Sequence, residues 1–129
     1  MKALLVVAHG SRRETSNDEV RGLCRRMEAS GLTPFGRVSA AFLELAEPSI
    51  AEGIEECVAA GATEVVVVPY FLSAGRHVSE DIPAEVARAA RRHPQVSVRL
   101  TPHLGAAAGI APLVKELGET AAGDPSRLV

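Results

Sequence analysis

The sequence has no surplus of basic residues: 14 Lys and Arg stand against 16 Asp and Glu, a formal net charge of −2. Nucleic-acid-binding domains usually carry a pronounced positive excess, so a general nucleic-acid binder is excluded. Long hydrophobic runs are missing as well, and none approaches the roughly 20 apolar residues that a membrane span requires. The N-terminal MKALLVVA leads into HGSRRE and not into a small-residue cleavage site, so no secretory signal peptide is expected. Cysteine is scarce. Cys24 and Cys57 lie far apart, fit no metal or redox spacing and fall among apolar helical positions, which predicts buried thiols in a cytoplasmic protein. A Gly-rich phosphate cradle ending in Lys-Ser or Lys-Thr is absent too, and with it the signature of ATP use.

What remains is a chain of 129 residues, 47% of them apolar, enough to bury the core of one ordinary domain. Short apolar runs alternate with helical patterns. Ala3–Ala8 and Val65–Val68 are continuous apolar blocks, as expected of central strands covered on both faces, and Val38–Leu43 reads similarly. Val96–Leu100 alternates apolar with polar residues, which suits an edge strand. Between the runs, Val20, Leu23, Cys24 and Met27 share one helical stripe, as do Ile50, Ile54, Cys57 and Val58. Ile82, Val86 and Ala90 open a third helix, and Ile110, Leu113, Val114 and Leu117 a fourth. Gly31 and Gly61 stand where the first two helices should stop. This βαβαβαβα order predicts an α/β fold: a four-stranded parallel sheet with helices on both faces and right-handed crossovers. Residues 1–117 are expected to form the domain, and 118–129 a loose tail.

In such sheets ligands bind outside the carboxyl ends of the strands. His9 follows the first strand, His77 lies in the long loop PYFLSAGRHVSED after the third, and His103 follows the fourth; His93 precedes the fourth strand and belongs at the opposite pole. Glu44 ends the second strand in AFLELAEPS with Glu47 just beyond, and Arg12, Arg13 and Arg76 come from the same rim. Imidazole suits borderline divalent ions such as cobalt, nickel and iron, and two or three imidazoles make an open, exchangeable site. The arginines point to an anionic ligand. Together they suggest a protein that brings a metal to a polyacid. Plainer roles compete at several positions. Ser11 and Glu14 fit a capping box, Arg12 and Arg13 suit a solvated first turn, Glu47 before Pro48 suits a helix start, and Ser79 and Asp81 read as caps of the third helix. His9 and Glu44 are harder to explain in this way.

The segments AHGSR, FLELAEPSI and VPYFLSAGRHVSEDIP, in this order and at these strand exits, resemble the short class II chelatases, enzymes that insert a metal into sirohydrochlorin without ATP. The Phe-Leu-x-x-Gly-x-His loop running into Asp-Ile-Pro is the most specific part, and the similarity extends to about Leu117. The resemblance implies that His9 and His77 hold the incoming metal and that His9 accepts a proton, with Glu44 passing it towards solvent. It implies a tetrapyrrole-receiving wall at Leu72, Ser73, Ala74, Gly75 and Arg76, with Phe71 and Leu72 as an apolar face. Glu44 to Glu47 would face the substrate, and Arg76 and Arg12 would pair with its peripheral carboxylates. His103 has no secure counterpart and is left out of the ligand set. The metal is a substrate, cobalt by likeness to the small cobalt chelatase of anaerobic cobalamin synthesis, with iron for sirohaem or nickel as alternatives. Because longer members place two such domains around the site, a homodimer is expected. A metal or tetrapyrrole carrier without turnover and a flavodoxin-like phosphate binder using HGSR are the rival readings; HGSR lacks the further glycines of such phosphate loops.

Overall fold

The computed structural model describes residues 1–31 and 33–127, so residues 128 and 129 of the expected tail lie outside the described part. Four strands, β1 (Lys2–Ala8), β2 (Arg37–Phe42), β3 (Glu64–Pro69) and β4 (Ser97–Leu100), alternate with four helices, α1 (Glu14–Ala29), α2 (Ile50–Ala59), α3 (Ile82–Arg91) and α4 (Ile110–Ala121). All strand pairs are parallel, in the order β2-β1-β3-β4, as the alternation of patterns predicts. Leu5 stands opposite Ser39 on one side and Val67 on the other. Among the described residues no helix is long and apolar enough to cross a membrane.

Strand alternation divides the core. Ala3, Leu5 and Val7 of β1 point to one face, where they meet Ile50, Ile54 and Cys57 of α2, Val65 and Val67 of β3, and Ile82, Val86 and Ala89 of α3. Gly53 lets α2 lie close there, because a Cβ at that position would come within 2.9 Å of the Ala41 Cβ. The other face joins Val6 and Ala8 to Val38, Ala40 and Phe42, under Cys24 of α1. The two faces are not equally covered. Val65 and Val67 are fully buried, whereas Val66 and Val68, which point to the α1 side, are only half-buried. The expectation of a central strand sealed on both sides therefore holds for one face of β3 and not for the other.

Helix α4 accounts for the difference. Its main packing partner is the 3₁₀ turn Leu104–Ala106 that precedes it, and every residue from 111 to 121 is solvent-exposed. The helix runs past the expected boundary at Leu117 to Ala121, and a second 3₁₀ turn follows at Pro125–Arg127.

Local signals explain most termini. Gly31 and Gly61 follow the first two helices at φ +66° and +101°, a backbone region that favours glycine. Ser49 and Glu52 form a reciprocal capping box at α2. The capping box expected at Ser11 and Glu14 does not form. Ser11 Oγ accepts instead from the Arg13 amide at 3.0 Å, and the helix begins at Glu14. The buried polar residue Asn17 holds this entry: its Oδ1 accepts from the Ser11 amide at 2.9 Å and its Nδ2 donates to the Ser11 carbonyl at 2.8 Å. Arg21 ties α1 to the following segment. Its Nη1 pairs with Glu14 and, at 2.9 Å, with Asp18; its Nη2 donates to the Glu47 carbonyl, and its guanidinium lies 5.0 Å over the Phe42 ring.

Both cysteines are free and buried, and burial pushes the Cys24 thiol up to about 11 and the Cys57 thiol upward as well. Neither thiol should react with a thiol-specific dye at pH 8 in native buffer, while both should react at once in denaturant. Truncating Ile54, which is fully buried between α2 and the sheet, should cost about 2–5 kcal/mol in urea unfolding.

Candidate functional site

The strand order creates a divergence at the carboxyl edge. From β1 the chain turns through α1 to β2, and from β3 it turns through α3 to β4, on opposite sides of the β1–β3 pair. Open parallel sheets bind ligands at such a switch point, in the crevice between the departing loops. His9 stands at the exit of β1 and His77 in the loop after β3. Their rings meet edge to face with centroids 4.9 Å apart.

Pairing that continues beyond the strands fixes this edge. The Leu43 amide donates to the Ala8 carbonyl and the Glu44 amide to the His9 carbonyl, both at 3.0 Å, while the Tyr70 amide donates to the Val7 carbonyl at 2.7 Å. Gly10 makes the approach possible. It sits at φ +96°, and a Cβ there would fall 1.7 Å from the Glu44 carbonyl oxygen. Glu44 is thereby carried beside His9, with Oε1 3.2 Å from Nε2.

Both imidazoles present Nε2. His9 Nδ1 lies 2.9 Å from the Gly10 carbonyl, which only accepts, so Nδ1 carries the hydrogen. His77 Nδ1 lies 2.8 Å from Asp81 Oδ2, and the same argument makes it a donor. Nε2 of His77 is left available to a ligand, with a carboxylate behind the ring that fixes its orientation. At His9, Nε2 faces Glu44 and can hold one partner at a time, a proton shared with the carboxylate or an ion. The four side chains are 41% (His9), 54% (Glu44), 43% (His77) and 42% (Asp81) exposed, so the pair opens to solvent. Among the described residues no group of three or more His, Cys, Asp or Glu side chains is arranged to enclose a metal. The geometry offers two imidazoles with open positions.

The other predicted positions surround this pair unevenly. Leu72, Ser73, Ala74, Gly75 and Arg76 are exposed along the loop that leads to His77, with Leu72 73% exposed. Phe71 is half-buried and packs on the main core, so Leu72 is the apolar side chain turned outward. Arg76 Nε sits 3.7 Å from Glu80 Oε2 in an exposed ion pair, which is weakly held in water. Arg12 and Glu47 are exposed on the rim, and Glu47 contributes its carbonyl to Arg21. His103 heads the turn at Leu104–Ala106, and His93 follows α3 at the opposite pole.

The caps expected at Ser79 and Asp81 are not made. His77–Asp81 is a single π-helical turn running into α3, in which Ser79 Oγ donates to the Gly75 carbonyl and Asp81 turns back to His77. The four-residue spacing was the available signal, because positions i and i+4 of a helical turn adjoin. Gly105 is the other residue missed. Its amide donates to the Phe71 carbonyl at 2.9 Å, and a Cβ there would lie 1.8 Å from the Leu72 oxygen, so it braces the loop from behind.

The fold and this edge define a chelatase-like α/β domain, and comparison with known proteins places it. The CbiX family model matches residues 3–121, and the chain belongs to that family. It is 40% identical over 97 residues, 75% of this chain, to the sirohydrochlorin ferrochelatase of Bacillus subtilis, but covers only 36% of that protein. It is 37% identical over 83 residues, 64% of this chain and 57% of the other, to the sirohydrochlorin cobaltochelatase of Methanopyrus kandleri. The crystal structure of the sirohydrochlorin chelatase SirB from Bacillus subtilis subspecies spizizenii in complex with cobalt superposes with a TM-score of 0.78 at 35% identity, over 94% of this chain and 51% of that one. The chain thus spans about a third to a little over half of the length of these relatives.

Gly10→Ala should lower stability by about 1–3 kcal/mol or more, from the left-handed backbone and the overlap with Glu44, as read by thermal unfolding.

Proposed function

We propose that this chain inserts a divalent metal ion into sirohydrochlorin without ATP, as a sirohydrochlorin cobaltochelatase. The observation that carries the reading is the His9–His77 pair, two half-exposed imidazole rings 4.9 Å apart at the switch point of the sheet, each with its Nδ1 engaged by a local acceptor. The relatives' names supply the substrate class.

Insertion exchanges two pyrrole N–H protons for the metal. A loose bis-imidazole grip suits this step, because a tightly held ion would resist transfer to four ring nitrogens. As the ion leaves His9, the freed Nε2 lone pair can take a pyrrole proton, and Glu44 at 3.2 Å passes it to solvent. The pair then resets for the second proton. His77, held by Asp81, keeps its ring aimed at the ion throughout. Leu72 offers an apolar support for the macrocycle. Arg76 exchanges its exposed pairing with Glu80 for a peripheral carboxylate, with Arg12 and Glu47 on the same rim. A single sheet of four strands is a shallow bed for so broad a ligand, and the chain acts as a homodimer in the cytoplasm.

Cobalt is the favoured metal because this chain covers more of the cobaltochelatase of Methanopyrus kandleri, 57%, than of the Bacillus subtilis ferrochelatase. Iron is the second reading, favoured by the 40% identity with that ferrochelatase.

The deciding experiment is an anaerobic assay with sirohydrochlorin and cobalt, iron or nickel, following the absorption change on insertion. His9→Ala and His77→Ala should each cut the rate at least about 100-fold with an unchanged circular dichroism spectrum; wild-type rates in both would refute the assignment. In equilibrium titrations of the protein alone, Asp81→Ala should weaken cobalt binding about 10–100-fold. Asp81→Asn, whose amide oxygen still accepts from Nδ1, should recover most of the loss.

A further inference from the structure

One side chain just beyond β2 runs against what the fold alone would select. Leu45 sits at φ +64°, and among the described residues it is the one non-glycine residue in the left-handed region. Glycine takes this conformation freely and asparagine tolerates it, whereas a leucine Cβ is crowded against its own backbone there. The side chain is also 53% exposed. Its neighbours are placed otherwise: Leu43 packs on the α2 side of the core and Ala46 on the α1 side. Leu45 joins neither cluster. The folded state therefore bears the backbone strain and gains little from the apolar bulk.

The strain is held from both ends of the turn. The Glu44 amide donates to the His9 carbonyl at 3.0 Å, the Phe42 amide to the Pro48 carbonyl at 2.9 Å, and Arg21 Nη2 to the Glu47 carbonyl at 2.9 Å. These bonds close residues 43–47 into a sharp bend with Leu45 at its middle. A glycine there would make the same bend without cost in strain. Strained backbone of this kind collects at ligand sites, where the surrounding structure imposes it.

Strand order shows what Leu45 faces. Because β1 lies between β2 and β3, the segments that leave β2 and β3 flank the exit of β1, where His9 stands. Leu72, 73% exposed, is in the segment that leaves β3. Among the described residues, the large apolar side chains with more than half their surface exposed are Leu45, Leu72 and three residues of α4. The two outside α4 thus fall on either side of the imidazole pair. We propose that Leu45 is a second apolar support for the macrocycle, which lies across Leu45 and Leu72 with the imidazoles under its centre. Contacts on opposite sides fix the tilt of a flat ring over the ion, where a single contact would let it rock. This deepens the chelatase reading above and rests on it.

Three titrations of the full chain test the proposal: urea unfolding, cobalt binding by the protein alone, and binding of metal-free sirohydrochlorin followed by its absorption. Leu45→Gly and Leu45→Asn should unfold at a urea concentration no lower than the wild type, because both residues accept the left-handed backbone. Both should leave cobalt binding unchanged and weaken sirohydrochlorin binding about 10-fold or more, the effect of losing one buried leucine contact. Leu45→Met, which keeps an apolar side chain of similar size, should retain near wild-type affinity for the macrocycle. Wild-type affinity in Leu45→Gly, in a chain that binds sirohydrochlorin and inserts metal, would overturn the role of Leu45 alone. Unfolding of Leu45→Gly at clearly lower urea would make Leu45 a packing residue and overturn the proposal as well. A wild-type chain that binds no sirohydrochlorin would overturn the chelatase reading and this support together.

Discussion

The site depends on hydrogen bonding that does not stop where the strands do. Parallel pairing of β1 with β2 and β3 sets three chain segments in register, and the ladder runs on past Ala8 so that Glu44 donates its amide to the His9 carbonyl. Gly10 is the condition for this extension, since any side chain there would collide with the Glu44 backbone. His9 and Glu44 are thereby fixed to each other by main chain and not by side-chain preference. Across β1, the Tyr70 amide anchors the start of the loop that brings His77 to the same crevice. An imidazole pair assembled this way has no enclosing shell, and its half-exposure suits the release of an ion in the proposed reaction.

The two imidazoles are supported differently, and the difference divides the work. His77 has its carboxylate behind it, on Nδ1, where Asp81 orients the ring and leaves Nε2 for coordination. His9 has its carboxylate in front, on Nε2 itself, where Glu44 competes with an ion for the same atom. In the proposed reaction one ring holds the ion and the other trades a cation for a proton. The chemistry assigned to them in the proposed reaction follows from that asymmetry.

Much of this was legible in the sequence. The apolar blocks Ala3–Ala8 and Val65–Val68, the helical stripes and the terminating glycines predict the parallel sheet, and the position of each histidine relative to a strand end sorts the crevice from the opposite pole. What escaped was local competition between roles for one side chain. Asp81 has the composition of a cap and becomes the support of an imidazole, because a π-helical turn places it against His77. Ser11 and Glu14 have the spacing of a capping box, but Asn17 takes the Ser11 backbone first and moves the start of the helix to Glu14. The true box at Ser49 and Glu52 was hidden behind Glu47 and Pro48. Helix α4 was legible as a helix from its apolar stripe, but a stripe does not say what packs on it, and every residue from 111 to 121 is solvent-exposed.

Asn17 has a consequence of its own. The segment between His9 and α1 is clasped by a neutral amide that meets both the amide and the carbonyl of Ser11, as a strand of backbone would. An ionised aspartate would have offered only acceptors and left the Ser11 carbonyl unmet. The loop that carries His9 into α1 is therefore fastened by a group that has no proton to lose, and the same amide reaches on to the Glu14 carboxylate at 3.3 Å, so one neutral side chain joins the edge of the crevice to the first turn of the helix.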